Sequence, residues 1–126
     1  YGSRKNNWSA VESIFNTVKN NDEVTVGSLK NGRRFIHVSD ISDGIIRAIG
    51  LKGFNVINLS GEEIITMHDI IETSQKILGK TVKIIENNAS TINIRNPSNN
   101  KAKTLLNWKP KILFSEGLKS LKDYLK

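Results

Sequence analysis

The chain has 126 residues, a formal net charge of +7 and no cysteine. This length suits one domain rather than two, and the lack of cysteine excludes disulfides, thiolate catalysis and cysteine-bound metal centres. No apolar run approaches the roughly 20 residues that span a bilayer, and the first residues do not resemble a signal peptide. We therefore expect one soluble, cytoplasmic domain over residues 1–126, without membrane contact.

In its first half the chain predicts, in order, a helix over 9–20, β segments over 24–26 and 35–38, a helix from Ser39 or Asp40 to Gly50, and a β segment over 53–59. The second half predicts a helix over 66–79, a strand over 81–86, an irregular polar stretch over 87–96, a short helix from Ser98 and a last helix from Ser115. Ser9 with Glu12, and Thr66 with Asp69, have the spacing of capping boxes. The alternation predicts an α/β fold in which helices pack on a small mixed sheet.

The positive charge comes mainly from lysines, which are scattered and become dense only from Lys101 onward. Most of these dense lysines lie on the polar side of helical patterns, which is typical of a solvated surface. An anionic small ligand explains the charge as well as a polynucleotide does, and no nucleic-acid-binding motif is present. Nucleic acid is therefore the less favoured partner.

The residue types of most catalytic and metal sites are missing or wrongly spaced. We interpret His37 and His68 as lacking a carboxylate or second histidine at metal-ligand spacing, and Glu62–Glu63 as a solvated turn. No Gly-x-Gly-x-x-Gly or Walker loop occurs. The chain by itself predicts a binding protein without catalytic residues or a metal.

The strongest binding signal is the segment Asn31–Asp40, which places Arg33 and Arg34 where a turn enters a short β segment. A guanidinium carries a permanent charge and parallel donors that fit two phosphate oxygens. A solvated or salt-bridged surface arginine is the alternative interpretation, and the residues alone leave both open.

Six motifs resemble, in order and spacing, those of nucleotide-sugar epimerases and dehydratases of the extended short-chain dehydrogenase/reductase family. They cover the whole chain. The motifs are Tyr1–Arg4 (similar to Tyr-Gly-Pro-Arg), Arg33–Asp40 (Arg-Asp-Phe-Ile-Tyr/His-Val-x-Asp), Ile57–Gly61 (Tyr-Asn-Ile-Gly-Ser-Gly), Asn100–Lys103 (Ser-Lys-Ala-Lys), Leu106–Pro110 (Leu-Gly-Trp-Lys-Pro) and Glu116–Leu118 (Glu-Gly-Leu).

The resemblance implies the C-terminal, substrate-binding part of such an enzyme, cut at Tyr1 and lacking the N-terminal Rossmann sheet. In the family that sheet holds NAD or NADP and the catalytic Tyr-x-x-x-Lys. We therefore expect this fragment to bind neither cofactor and to be inactive alone. The expected partners are a nucleoside-diphosphate sugar, the missing N-terminal half, and a second copy through an apolar face that this half leaves exposed.

The resemblance also implies roles for five substrate-binding positions. Arg33 matches the arginine that grips the diphosphate, and Asn7 falls where many members place a polar side chain that reaches the diphosphate or sugar. Val24 and Val26 lie on the strand whose backbone edge contacts the base. Arg95 is a candidate to replace a second phosphate arginine, which many members carry where this chain has asparagines.

Two further positions follow from the resemblance. Tyr1 is a weak candidate for a contact on the nicotinamide-ribose side of the cofactor in the full enzyme. Arg34 replaces the usual aspartate, and we interpret it either as a surface residue paired with a carboxylate or as part of a more strongly anion-binding site. Two other functions stay open: an autonomous anion- or nucleic-acid-binding module that reuses the fold, and a noncatalytic reductase-like regulator.

Overall fold

The computed structural model describes residues 1–3, 6 and 8–125. Helices and short strands alternate along this part of the chain. In order they are α1 (Ala10–Asn20), β1 (Glu23–Val26), β2 (Gly32–Arg33), α2 (Val38–Ala48), β3 (Ile65–Thr66), α3 (Met67–Leu78), β4 (Lys83–Glu86), β5 (Ile94–Arg95), α4 (Asn100–Leu106) and α5 (Phe114–Tyr124). The predicted α/β fold with small mixed sheets and packed helices is confirmed.

The strands form two small sheets. β1 pairs in parallel with β4. β2 lies between β3, to which it is antiparallel, and β5, to which it is parallel. Parallel pairing requires a crossover connection, so residues far apart in sequence come together on β2 and β5.

The main core lies between β1 and the apolar faces of α1, α3 and α5. Phe15, Ile70, Ile71, Leu118 and Leu121 are fully buried in it. Capping boxes start α1 at Ser9 and α3 at Thr66, as predicted. Each box satisfies backbone N–H groups that have no partner within the helix, which fixes where the core-facing turns begin.

A second cluster forms around Trp108, which is 1% exposed and packs with Ala102 and Leu106 of α4. The indole Nε1 donates to the backbone oxygen of Asp40 at 3.1 Å. The buried Asp40 carboxylate accepts from the backbone nitrogens of Lys111 at 3.1 Å and Ile112 at 3.0 Å. The core role predicted for Trp108 is thus confirmed, and Asp40 ties α2 to the loop before α5.

The predicted β segment over 35–38 and the predicted start of the next helix are wrong. The strand is Gly32–Arg33, and α2 begins at Val38, where His37 Nδ1 accepts from the Ser39 nitrogen at 3.3 Å. Tyr1 pairs with this part of the chain instead: its nitrogen donates to the Ile36 oxygen at 2.7 Å, and its oxygen accepts from the Val38 nitrogen at 2.8 Å. The Asp40 carboxylate is not free to cap the helix, since it binds the loop described above.

One prediction for the second half is wrong and another is confirmed. The stretch over 87–96, predicted to be irregular, contains β5. The short helix predicted to start within 98–100 is α4, which begins at Asn100 with Asn99 as its N-cap residue, and Ser98 Oγ accepts from the Asn100 nitrogen at 3.2 Å. The Asn99 side chain does not cap that helix, because it is hydrogen-bonded to Ser60, whose nitrogen donates to Asn99 Oδ1 at 3.0 Å and whose oxygen accepts from Nδ2 at 2.7 Å.

An apolar face is exposed beside α2. Segment 53–59, predicted as a β segment, is not a strand, since it has no strand partner within the described ranges. We call the following residues the apolar face: Ile45, Ile46, Ile49, Phe54 and Val56, which are 57%, 66%, 78%, 93% and 68% exposed. Among the helices of the described residues, none combines the length and apolarity needed to cross a membrane.

Candidate substrate-binding site

Two arginines occupy directly paired positions on β2 and β5. Arg33 is the register partner of Arg95 in the parallel pairing of these strands. Paired residues of neighbouring strands project from the same face of a sheet, and the strands are about 4.8 Å apart. Arg33 is half-buried and Arg95 is exposed. The structure therefore pairs the two arginines that the family resemblance suggested for phosphate binding.

Neither guanidinium forms a hydrogen bond or an ion pair with another residue in the described part of the chain. Like charges on directly paired strand positions repel each other, and a shared anion removes that repulsion. The parallel N–H donors of one guanidinium can bind two phosphate oxygens at once. The arrangement can therefore accept an anion with several charged oxygens, such as a diphosphate.

Residues at both ends of β5 attach it to β2. At one end, Asn31 Oδ1 accepts from the Asn93 nitrogen at 2.7 Å, and the Gly32 nitrogen donates to the Asn93 oxygen at 3.1 Å. At the other end, Arg34 Nε donates to Asn96 Oδ1. Arg95 lies between these two attachments, so its backbone is fixed although β5 has only two residues.

Arg34 also contacts the loop at Gly61, which meets the chain just after β2. Its Nη1 donates to the Gly61 oxygen at 3.4 Å, and the Gly61 nitrogen donates to the Arg34 oxygen at 3.3 Å. A Cβ at Gly61 would lie 2.1 Å from the Phe35 oxygen, so only glycine allows this approach. Arg34 thus binds an amide and a carbonyl rather than the carboxylate that the sequence suggested.

Glu62 is exposed and paired with a lysine. Lys103 Nζ lies 2.8 Å from Glu62 Oε1. This hydrogen bond lowers the pKa of Glu62, and the charge of Arg34 lowers it further. The contact agrees with our interpretation of Glu62–Glu63 as a solvated turn.

The side chains of Val24 and Val26 cannot contact a ligand. They are 2% and 8% exposed and belong to the main core. Only the backbone edge of β1 is left for the predicted contact with a base, which stays a prediction. Asn7, the fifth predicted substrate-binding position, lies outside the described residues.

Tyr1 is packed within the chain. Its ring lies 5.4 Å from that of His37 and 5.5 Å from that of Phe114, and its hydroxyl donates to the Phe114 oxygen at 3.3 Å. Burial raises the pKa of the Tyr1 hydroxyl, and the carboxylates of Asp40 and Glu12 raise it further. These contacts favour a structural role, and the weak cofactor contact predicted for Tyr1 stays a prediction.

A hollow of about 310 Å³ opens beside the start of α2. Its lining includes His37, Lys109, Lys111 and Phe114, but neither Arg33 nor Arg95. Burial lowers the pKa of His37, which favours the neutral ring whose Nδ1 caps α2. The hollow is therefore separate from the arginine pair.

Our interpretation that His68 lacks neighbouring carboxylates is wrong. One turn of α3 brings His68, Asp69 and Glu72 together, with one ligand atom of each within 4.8 Å of the others. Both carboxylates already have partners, because Asp69 Oδ2 accepts from the Thr66 nitrogen at 2.8 Å and Glu72 is 2.9 Å from Lys76 Nζ. We assign no ligand to this cluster.

Sequence reasoning missed the residues that hold β5 in place. Asn93 and Asn96 flank Arg95, and Asn31 and Arg34 flank β2 on the corresponding sides. The sequence shows only that polar residues stand on either side of β2 and of β5. This pattern can be interpreted only once the pairing of the two strands is known.

Several known proteins are similar to this chain, although no family model matches it. The UDP-glucuronate 4-epimerase of Thermodesulfobacterium geofontis is 32% identical over 103 residues, which are 79% of this chain and 32% of that protein. The UDP-glucuronic acid decarboxylase 3 of Arabidopsis thaliana is 32% identical over 93 residues, 72% of this chain and 27% of that protein. The chain thus spans about a third or less of the length of these curated relatives.

A solved structure carries the same similarity over nearly the whole chain. It is the UDP-glucuronic acid 4-epimerase from Bacillus cereus in complex with UDP-glucuronic acid and NAD, with a TM-score of 0.86 and 26% identity, covering 99% of this chain and 42% of that one. The chain corresponds to the C-terminal part of an extended short-chain dehydrogenase/reductase. The family resemblance drawn from the six motifs is thereby confirmed.

More distant structures show the same fold. The UDP-glucose 4-epimerase from Thermotoga maritima, solved with UDP-glucose, has a TM-score of 0.85 at 21% identity. The similar region covers 99% of this chain and 42% of that one. At this identity the likeness concerns the fold alone. It agrees with the α/β arrangement of helices and short strands described above.

Proposed function

We propose that this chain is the nucleotide-sugar-binding part of an NAD(P)-dependent enzyme that converts UDP-sugars by epimerisation, decarboxylation or dehydration. Residues 1–126 form one substrate-binding domain in this proposal. The observation that carries it is the pairing of Arg33 with Arg95 on neighbouring strands, two arginines without a carboxylate partner in the described residues. The UDP-glucuronate-converting relatives and the Bacillus cereus complex with UDP-glucuronic acid support it.

The arginine pair would hold the diphosphate, which does not react. Binding energy from such a remote group can be used to orient the reacting sugar. Because β2 and β5 are joined at both ends, little freedom is lost when the anion binds. The chain contributes binding and orientation in this scheme, and it is inactive when isolated.

The described residues do not fit a dinucleotide cofactor. Such a site needs a glycine-rich turn between a strand and the helix that follows it. β3 runs directly from Thr66 into α3 at Met67, and no glycine lies between β2 and α2 or between β5 and α4. We therefore assign NAD or NADP to the remaining length of the full enzyme and none to this chain.

The partner that we propose for the apolar face is the cofactor-binding half of the enzyme. This face includes Phe54, which is 93% exposed, and it lies partly on segment 53–59, which has no strand partner in the described residues. Contiguous exposed apolar side chains of this kind mark protein–protein interfaces. In the isolated chain the same face is expected to cause self-association.

A titration with UDP followed by amide NMR shifts tests the proposed function, because it detects weak binding and locates it. We expect the largest shifts at Gly32, Arg33, Ile94 and Arg95, and much smaller ones with uridine, which lacks the phosphates. Shifts confined to the lysine-rich region after Lys101, or no shifts at all, would contradict the proposal. The first of these outcomes would favour the alternative of a general anion or nucleic-acid binder.

A further inference from the structure

We propose that Arg34 is a positioning residue, which acts on the ligand by holding Arg95 beside Arg33. The inference rests on the proposed function, because it concerns the same arginine pair. It gives a role to the residue that departs from the family's aspartate.

A hydrogen bond of Arg34 joins the two strands just beyond the arginine pair. Arg34 directly follows Arg33 at the end of β2, and Asn96 directly follows Arg95 at the end of β5. The hydrogen bond from Arg34 to Asn96 therefore continues the pairing of the two strands by one residue. Because successive residues of a strand point to opposite faces, we infer that Arg34 acts from the face opposite the arginine pair.

Two donors of one guanidinium reach two different segments. Nε of Arg34 binds Asn96, next to β5, while Nη1 binds the oxygen of Gly61 in the loop that meets the chain just after β2. The loop itself is fixed by the close approach of Gly61 to the Phe35 oxygen. A lysine carries the same charge but has no planar fork that could reach both partners at once.

The arginine pair makes such an attachment necessary. Repulsion between Arg33 and Arg95 pushes β5 away from β2. β5 has two residues, both exposed, and packs few side chains that could resist this force. The Asn31–Asn93 hydrogen bond holds one end, and Arg34 holds the other.

The test compares the binding of UDP with that of UMP, since one phosphate can be held by Arg33 alone whereas two require Arg95 in place. We expect Arg34→Lys to weaken UDP binding about fivefold, corresponding to about 1 kcal/mol, and to leave UMP binding within about twofold. Asn96→Ala, which removes only the acceptor, should reproduce this loss of preference. Arg47→Lys is the matched control, and its UDP affinity should stay unchanged, because Arg47 pairs with Asp43 on α2.

A double-mutant cycle identifies the route of the effect. In the Arg95→Ala background, Arg34→Lys should cause no further loss of UDP affinity. Additive losses would overturn the inference, because Arg34 would then act on the anion directly, and so would an unchanged UDP affinity in Arg34→Lys. If Arg34→Lys does not fold, Asn96→Ala decides the question by the same readout.

The two proposals fail in different ways. If UDP binds and depends on Arg33 but is insensitive to Arg34 and Asn96, only the positioning role is overturned. If the unaltered chain binds no UDP, or binds it independently of Arg33, the proposed function is overturned and the positioning role with it.

Discussion

Replacing Arg33 by alanine removes the half-buried guanidinium of the proposed diphosphate site. Arg33 lies at the register position opposite Arg95, and no described residue neutralises either charge. The substitution relieves the repulsion between the two arginines, so we expect the fold to be retained. The loss should therefore appear in ligand binding and not in stability.

The expected loss follows from the strength of hydrogen bonds to charged groups. One such bond contributes about 1.5–3 kcal/mol, and for a half-exposed fork we take about 2 kcal/mol in total. Because 1.4 kcal/mol corresponds to a factor of ten, Arg33→Ala should raise the Kd for UDP about 30-fold. Arg33→Lys keeps the charge but loses the fork, and it should raise the Kd about fivefold.

Isothermal titration calorimetry with UDP measures these differences. Lys119→Ala is the control, since it removes one positive charge from the exposed surface of α5. Its effect should stay within about twofold and should disappear at higher salt, because distant surface charges are screened. Equal Kd values for the unaltered chain and Arg33→Ala, or an equal loss in Lys119→Ala, would refute the reasoning.

Three further predictions concern stability and assembly. Asp40→Asn should lower the free energy of unfolding by about 2 kcal/mol, because it replaces a buried carboxylate that accepts from two backbone N–H groups. The control Asp43→Asn, on the exposed side of α2, should change the free energy of unfolding by less than about 0.5 kcal/mol. Equal shifts of the melting temperature in the two variants would contradict this prediction. Although burial raises the pKa of Glu12, hydrogen bonds from Ser9 and Gly2 outweigh it and leave this pKa below its usual value of 4.5. The Glu12 carboxylate therefore stabilises the fold fully above pH 4.5, and this contribution is lost as the pH falls through the lowered value. Glu12→Gln should reduce stability at neutral pH and flatten the acid limb of a denaturation series, and an unchanged acid limb would be inconsistent with this role. Phe54→Glu should reduce self-association in sedimentation equilibrium, and a chain that is already monomeric would show that the apolar face does not drive it.

Local signals predicted the helices that carry the main core. The capping boxes at Ser9 and Thr66 depend on residues three positions apart, so they can be read without knowledge of the fold. The start of α2 could not be read in this way. Asp40 has the chemistry of a cap, but the loop at Lys111 and Ile112 occupies its carboxylate. His37 is the N-cap residue instead, and only the tertiary contact of Asp40 explains why that carboxylate does not cap the helix.

The arginine pair shows the same limit at the site. The phosphate-binding chemistry of Arg33 follows from its residue type and from the family motif. Its adjacency to Arg95 depends on two strands of two residues each, and so short a segment has no periodicity that could indicate a strand. For segment 53–59 the sequence predicted a strand that the structure does not contain. The segment has the alternation of a strand but no partner strand within the described ranges.

The phosphorus NMR spectrum of UDP tests the central claim most directly, because it observes the diphosphate itself. On addition of the chain, we expect both the α- and β-phosphorus signals of UDP to shift or broaden. Arg33→Ala and Arg95→Ala should each reduce this effect, and Lys119→Ala should not. Phosphorus signals that stay unchanged while the uridine protons respond, or a response that is the same in all variants, would contradict a diphosphate site at Arg33 and Arg95.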